Sequence, residues 1–202
     1  MLDNSKKQRI LDASLQEFSE YGFEKASTDR ICQKAGVSKG LLFHYFGSKE
    51  NIFMVTMNNC IDDILNEYNN LDYIQADFIS TIMKMMGIKY DYFKKNPMHY
   101  KLVMNGFYNT PKKLKKELEQ RYSELKEIGS NIFLEMIKTL PLKKDVSIEN
   151  VVAMLGSITN IVESKYLHYF TDEITSFEEF YDVAKNEYIN LMNILLYGII
   201  EK

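Results

Sequence analysis

The residues best able to do chemistry lie between positions 27 and 46, where the sequence reads STDRICQKAGVSKGLLFHYF. Apolar residues recur at helical spacing on both sides of Gly36, at Ile31 and Ala35 before it and at Leu42, Tyr45 and Phe46 after it. Two short helices joined by a three- or four-residue turn that contains glycine pack against each other at a steep angle. This stretch therefore predicts a helix-turn-helix.

The outer face of the second helix carries an unusual set of side chains. Ser38 is a good N-cap residue, so the helix is expected to begin there. Leu41 and Phe43 can contact thymine methyl groups, and Lys39 can reach guanine acceptors or a phosphate. Gly40 lets the helix N-terminus, with its free N–H groups, come close to a phosphate. These residues predict a helix that reads DNA in the major groove.

The elements that position this motif are also helical. A first helix has one inward face at Ile10, Ala13, Ser14, Phe18 and Tyr21. Gly22 is expected to end that helix, and Ser27 to cap the next one. Gly47 ends the third helix, and Ser48 caps a fourth.

Beyond position 50 the spacing stays helical, with Pro97, Pro111 and Pro141 at helix boundaries. We predict helices at 48–70, 74–96, 97–108, 111–139, 147–170 and 177–200. The predicted fold is all-α, with an N-terminal three-helix helix-turn-helix DNA-binding domain at 1–50. The rest, 51–202, forms a larger helical bundle.

Composition restricts the function classes. The chain has 202 residues and a net charge of −3, but residues 1–50 hold eight basic and seven acidic side chains. Charge alone therefore supports DNA binding only weakly. Cys32 and Cys60 do not form a disulfide or zinc pattern, and no metal or cofactor is expected. Without a membrane-spanning run or a secretory signal, a cytoplasmic location is expected.

No catalytic motif is present. The sequence lacks a phosphate-binding glycine loop, an HExxH zinc pattern and a GxSxG nucleophile turn. We therefore do not expect an enzyme. His99 and His168 are interpreted as surface or hydrogen-bonded core residues.

Two stretches resemble one protein family. Positions 10–23, ILDASLxxFxxxGF, and 35–53, AGVSKGxLFxYFxSKExxF, are similar to transcriptional regulators of the tetracycline-repressor (TetR) family. The resemblance implies an all-helical homodimer that binds a palindromic operator in double-stranded DNA. It also implies that 51–202 is an effector-binding and dimerisation domain, whose small-molecule effector usually releases the DNA.

The resemblance also implies which residues contact DNA. Ser27 and Thr28 would touch phosphate; Ser38, Lys39, Gly40, Leu41 and Phe43 would lie in the major groove; and His44, Tyr45 and Lys49 would hold the DNA backbone. Two positions depart from the family pattern. Arg30 stands where an acidic residue commonly closes the capping box, so Ser27 is expected to lack that partner. Leu41 replaces the more frequent threonine or serine.

The larger domain is rich in methionine and aromatic residues. Most must form its core, but a subset could line an effector pocket, namely Met86, Tyr90, Phe93, Met104 and Phe107. Methionine adapts to varied apolar ligands, and tyrosine adds a polar end to an aromatic wall. The expected effector is small and mostly apolar.

The last two helices each carry more apolar residues than one face can hold. By family resemblance, the extra face forms a four-helix interface between subunits, to which we assign Val152, Leu155, Gly156, Thr159, Tyr188, Leu191 and Leu195. The alternative is a monomer whose terminal helix covers its own core.

The favoured function is a ligand-responsive transcriptional regulator that acts as a repressor. Two alternatives stay open at this point. One is a transcriptional activator with the same fold, and the other is a helical ligand-binding or interaction protein without a DNA function.

Overall fold

The structure, a computed structural model, describes residues 2–68, 78–138, 140–167 and 177–198. Within these ranges the chain forms nine α-helices and no strand: α1 Leu2–Lys25, α2 Thr28–Ala35, α3 Lys39–Phe46, α4 Lys49–Tyr68, α5 Phe78–Lys95, α6 Pro97–Tyr108, α7 Lys115–Ile137, α8 Ile148–Leu167 and α9 Phe177–Tyr197. A 3-10 turn, Lys112–Leu114, precedes α7. The all-α fold predicted from the sequence is confirmed.

Most described helix ends lie near the predicted glycine, serine and proline residues, with two differences. Gly22 adopts φ 66° and ψ 175°, so it breaks the helical path inside α1, and one further turn continues to Lys25. Pro111 is extended, with ψ 132°, which delays the start of α7 from the expected position 111 to Lys115. The predicted ends at 70, 74, 139, 170 and 200 lie outside the described residues.

The first of two compact units comprises Met1–Asn70 and Asp91–Tyr122. In it α1 packs against α2, α4 and α6. The ring of Phe53 meets Phe18 edge-on at 5.0 Å between centroids and Phe23 at 5.3 Å. Its fully buried side chains include Ile10, Ile31, Leu42, Ile52, Met57, Ile61, Leu102 and Leu118. Burial of each such side chain contributes roughly 1.5–3 kcal/mol, so this core fixes the orientation of the short helices α2 and α3.

The second unit comprises Leu71–Tyr90 and Ser123–Lys202, with α8 packed against α9. Its core consists of Ile82, Met136, Ile137, Val151, Leu155, Val162, Ala184, Tyr188 and Met192. The hydroxyls of Thr159 and Tyr188 lie 3.1 Å apart and share a hydrogen bond between the two helices.

The two units are defined by packing alone, and the boundary between them falls within both α5 and α7. The functional division into 1–50 and 51–202 stays a prediction. None of the helices in the described ranges combines the length and the apolar character needed to cross a membrane.

Candidate nucleic-acid interface

The α2–turn–α3 motif is closed by local hydrogen bonds that its sequence dictates. The Ser27 hydroxyl accepts the backbone N–H of Arg30 at 3.4 Å, which caps α2. Gly36 adopts the left-handed conformation, φ 64° and ψ 42°, so the N–H of Val37 can bond the carbonyl of Cys32 at 3.1 Å. A residue with a Cβ would be strained at that φ. The predicted turn is therefore present at the predicted glycine.

Helix α3 begins and ends as its sequence indicates. The Ser38 hydroxyl accepts the N–H of Leu41 at 3.2 Å, and the N–H of Gly47 bonds the carbonyl of Phe43 at 2.8 Å. Leu42 and Phe46 are buried, and they anchor one side of the helix in the first unit. The opposite side presents Ser38, Lys39, Gly40 and His44 exposed, with Leu41 and Phe43 partly exposed.

Lys39 is already engaged in an ion pair. Its Nζ lies 2.8 Å from Oδ1 of Asp29, in the first turn of α2, and both side chains are more than half exposed. The hydrogen bond from Lys39 to this carboxylate, and then the negative charge itself, raise the pKa of Lys39 above its ordinary value. A contact of Lys39 with DNA must therefore share or replace the contact with Asp29.

A buried carboxylate holds the start of α2. Oε1 of Glu17, on α1, accepts the backbone N–H of Ser27 at 2.8 Å and the Nε–H of Arg30 at 2.9 Å. Lys34 Nζ lies 3.9 Å from the other carboxylate oxygen, and the Glu17 side chain is 0% exposed. Because position 30 lacks an acidic residue, Ser27 was expected to have no acceptor for its N–H. That expectation was wrong. Glu17 supplies that acceptor from another helix.

The charge state of Glu17 results from opposing effects. Burial, the largest effect, raises the pKa of the carboxyl. The hydrogen bonds from Arg30 and from the Ser27 N–H, together with the charges of Arg30 and Lys34, lower it by more. The pKa of Glu17 therefore lies below its ordinary value, and the side chain is ionised at neutral pH.

Arg30 is fixed on three sides. Besides Glu17, it donates to the carbonyl of Lys25 at 3.0 Å, and its guanidinium carbon lies 4.5 Å from the centre of the Tyr21 ring. Tyr21, placed on the inward face by its spacing, is 39% exposed, so that part of the sequence interpretation was wrong. Its ring packs against the guanidinium of Arg30, whose own side chain is 45% exposed. Arg30 therefore connects α2 to three residues of α1.

Lys49 and Tyr45, which were expected to hold the DNA backbone, do not have polar groups that are free to bind phosphate in this structure. Lys49 Nζ donates to the carbonyl of Glu24 at 3.3 Å and lies 4.8 Å from the centre of the Phe23 ring. Burial there lowers the pKa of Lys49. The Tyr45 hydroxyl is buried and has no hydrogen-bond partner among the described residues. A phosphate contact through that hydroxyl requires the side chain to rotate outward.

The residues expected to line an effector pocket fall in different parts of the chain. Phe93, Met104 and Phe107 belong to the first unit and Tyr90 to the second, while the side chain of Met86 lies outside the described residues. Phe93 is buried. A mostly apolar cavity of about 160 Å³ is lined by Phe107, Thr110, Leu118, Glu119 and Tyr122. Among the four predicted residues whose side chains the structure describes, only Phe107 lines this cavity.

His99 agrees with its interpretation as a hydrogen-bonded residue. Its Nδ1 lies 2.6 Å from the Tyr92 hydroxyl, and burial lowers the pKa of the ring. His168 lies outside the described residues.

The residues assigned to a subunit interface divide into two groups. Leu155 and Tyr188 are 0% and 2% exposed within the single chain, so their side chains form its own core and are not available to a partner. Helical spacing identified an apolar stripe here but not the direction in which it faces. Val152, Gly156, Thr159, Leu191 and Leu195 are only partly buried. Among the side chains of α8 and α9 that the structure describes, the large exposed apolar ones are instead Met154, Ile161, Val183, Ile194 and Tyr197, which we call the outer face.

Glu17 and Asp29 are functional residues that the sequence patterns did not predict. Glu17 lies three residues after Ser14 and next to Phe18, so a carboxylate falls on the buried side of α1. A charged residue on an apolar face requires a partner, and that signal was available in the sequence. Asp29 lies ten residues before Lys39, and no local spacing rule connects the two.

The comparison with known proteins identifies the same segment. Residues 10–54 match the family described as "Bacterial regulatory proteins, tetR family". The HTH-type transcriptional regulator RutR of Escherichia coli K12 is 39% identical over 59 residues, which is 29% of this chain and 28% of RutR. The HTH-type transcriptional repressor AcnR of Corynebacterium glutamicum is 42% identical over 48 residues, 24% of this chain and 26% of AcnR. The chain thus matches less than a third of the length of these relatives.

The fold extends beyond the matched segment. The crystal structure of the transcriptional regulator FadR from Bacillus subtilis in complex with stearoyl-CoA superposes with a TM-score of 0.70 at 14% identity. The superposition covers 96% of this chain and 100% of that one. The resemblance stated from the sequence is confirmed for the N-terminal segment, and the likeness of fold holds along the chain.

Proposed function

We propose, from the tetR-family segment at residues 10–54, that this protein is a DNA-binding transcriptional regulator. The observation that supports this most directly is the geometry of α3. Its inner side is anchored by Leu42 and Phe46, while Lys39 and Gly40 are exposed at its N-terminus. Partly exposed Leu41 and Phe43 suit thymine methyl groups, and the helix N-terminus suits a phosphate.

The regulator acts as a homodimer on a palindromic operator. Exposed apolar side chains on the outer face of α8 and α9, Met154, Ile161, Val183, Ile194 and Tyr197, support a second copy as the partner. Two-fold symmetry then places the two α3 helices in successive major grooves, about 34–36 Å apart. In this proposal Leu155 and Tyr188 support the interface from the core behind it.

The effector is a small, mostly apolar molecule whose binding weakens the operator complex. Phe107 and Tyr122, with ring centroids 5.4 Å apart, line the 160 Å³ cavity in the first unit. That volume admits a small ligand or one end of a longer one, because pockets that hold drug-sized ligands measure roughly 300–1,000 Å³. The FadR structure contains stearoyl-CoA, so an acyl-CoA is one ligand to test. An effector shifts DNA binding only by its differential affinity for the two states of the protein.

The test is a mobility-shift titration of the purified chain on the DNA upstream of its own gene. The expected result is a discrete complex that Lys39→Ala weakens and that an apolar ligand dissociates. A chain that shifts neither this DNA nor random duplexes would favour a helical ligand-binding protein instead. Loss of transcription on deleting the gene, in place of a gain, would identify an activator.

A further inference from the structure

The ion pair between Asp29 and Lys39 connects the first turns of the two helices in the motif. Asp29 is the second residue of α2, and Lys39 is the first residue of α3. Their charged atoms lie 2.8 Å apart, and 73% of the Asp29 side chain is exposed. The helix dipole of α2 stabilises a carboxylate at this position. A negative charge is thus held on the face that the proposed function turns toward DNA.

The position of Asp29 is important because the N-terminal segment has a small net positive charge. Residues 1–50 carry eight basic and seven acidic side chains. Among the basic ones, Arg30 is held by Glu17, and Lys49 is turned to a carbonyl and a ring. Lys39 is therefore a principal cation on the α3 face, and Asp29 neutralises it. A phosphate contact by Lys39 has to compete with a carboxylate that is already in place.

We propose that Asp29 is a positioning residue that sets the ratio of specific to non-specific DNA binding by holding the Lys39 ammonium. This inference rests on the proposed function. Non-specific binding is almost entirely phosphate neutralisation, so a lysine paired with a carboxylate contributes little to it. A lysine ammonium has three N–H donors. On the correct operator it can donate to guanine acceptors while it keeps one hydrogen bond to Asp29.

Asp29 then acts differently on the two kinds of DNA. On a random duplex, Asp29 keeps Lys39 from neutralising one phosphate. On the operator it directs Lys39 toward the base edges and away from the neighbouring phosphates. Removing the carboxylate should raise non-specific affinity and leave operator affinity unchanged or lower.

The experiment measures binding of the full chain to a random-sequence duplex and to a duplex selected by the wild-type protein, across a KCl titration. The variants are Asp29→Asn, Lys39→Met and the double variant. Asp91→Asn is the matched control, because Asp91 is exposed on α5 and its loss changes the net charge equally. Melting curves verify that each variant is folded.

For Asp29→Asn on the random duplex, the slope of log K against log salt should steepen by about 0.9, which is about eightfold tighter binding near 0.1 M salt. The ratio of operator to random affinity should fall at least as much. Neither change should occur for Asp91→Asn, nor for Asp29→Asn in the Lys39→Met background. This background effect is a readout that a merely structural role would not produce.

Two results would overturn the inference while leaving the proposed function in place. One is that the wild-type chain binds DNA but Asp29→Asn shows the same slope of log K against log salt as the wild type. The other is an equal increase with and without Lys39, which would mean that Asp29 acts only through net charge. Failure of the wild-type chain to bind any duplex would instead contradict the proposed function itself.

Discussion

Oε1 of Glu17 accepts the backbone N–H of Ser27 at 2.8 Å, so a side chain of α1 caps the N-terminus of α2 from ten residues away. In a capping box, that acceptor comes from the third residue of the same helix. Here that residue is Arg30, which binds the same carboxylate with Nε at 2.9 Å. The Ser27 N–H is therefore hydrogen-bonded as in a capping box, but its acceptor comes from a different helix. It places the first turn of α2, with Ser27 and Thr28, relative to the core of the domain.

Glu17→Gln should destabilise the first unit and change its response to acid. At neutral pH we expect a loss of about 1–3 kcal/mol in the free energy of unfolding, as for a buried charged hydrogen-bond partner. Because the folded pKa of Glu17 lies below its ordinary value of 4.5, its contribution is complete above that pH and is lost as the pH falls toward the folded pKa. Urea unfolding at a series of pH values measures both effects.

The control for this prediction is Glu117→Gln, the same charge change at an exposed position in the first turn of α7. It should keep the acid sensitivity of the wild type. If Glu17→Gln and the wild type lose stability in parallel below pH 4.5, the buried carboxylate does not carry the effect.

Gly40→Ala should separate folding from DNA binding. A Cβ at position 40 meets nothing closer than the Ser38 hydroxyl at 4.0 Å, so the free protein gains up to about 1 kcal/mol of helix propensity. The same methyl group stands at the N-terminus of α3, where the DNA backbone would approach. The melting temperature should therefore rise while the affinity for the operator falls. Gly129→Ala, in open space on α7, should show the rise alone. Equal operator binding by both variants would remove Gly40 from the interface.

Leu41 and Phe43 can be tested against the group they are proposed to contact. Replacing thymidine by deoxyuridine in the operator removes only the methyl group that apolar side chains recognise. We expect this change to weaken wild-type binding by about 1 kcal/mol, roughly fivefold, at one or two positions. In Leu41→Ala or Phe43→Ala, the loss at the matching position should disappear. Additive effects of protein and DNA changes would show that the two groups do not interact.

The outer face of α8 and α9 should control dimerisation. Ile161 is 54% exposed in the single chain, so Ile161→Glu leaves the core intact but places an unpaired charge in the proposed interface. Sedimentation should show a dimer weakened at least about tenfold, or ~1.4 kcal/mol. Met98→Glu, at an exposed apolar residue of α6, is the control and should sediment as the wild type does. A fully dimeric Ile161→Glu would place the interface elsewhere.

Local signals predicted much of this structure. Apolar spacing, Gly36 and Gly47, and the serine caps at 27 and 38 define α2 and α3 within a residue or two, because these effects act within a few positions of the chain. Pro97 likewise marks the first residue of α6. The exposed side of α3 follows from the same periodicity.

Contacts between helices were not accessible in this way. The Asp29–Lys39 pair and the cap from Glu17 depend on the angle at which two helices cross, which no single-helix pattern encodes. For α8 and α9, spacing identified the apolar residues Leu155 and Tyr188 but could not decide between the core of one chain and an interface between two. That choice depends on the packing of the whole second unit.

The most direct test of a DNA-reading role for α3 is selection of binding sites from random duplexes by the full chain. The wild-type chain should enrich one inverted repeat, with half-sites whose centres lie about 10–10.5 base pairs apart or a multiple of that distance. The triple variant Lys39→Ala, Leu41→Ala, Phe43→Ala should fail to enrich it while melting as a folded protein. Recovery of no common sequence by the wild type, or of the same repeat by the triple variant, would contradict the assignment of α3 as the recognition helix.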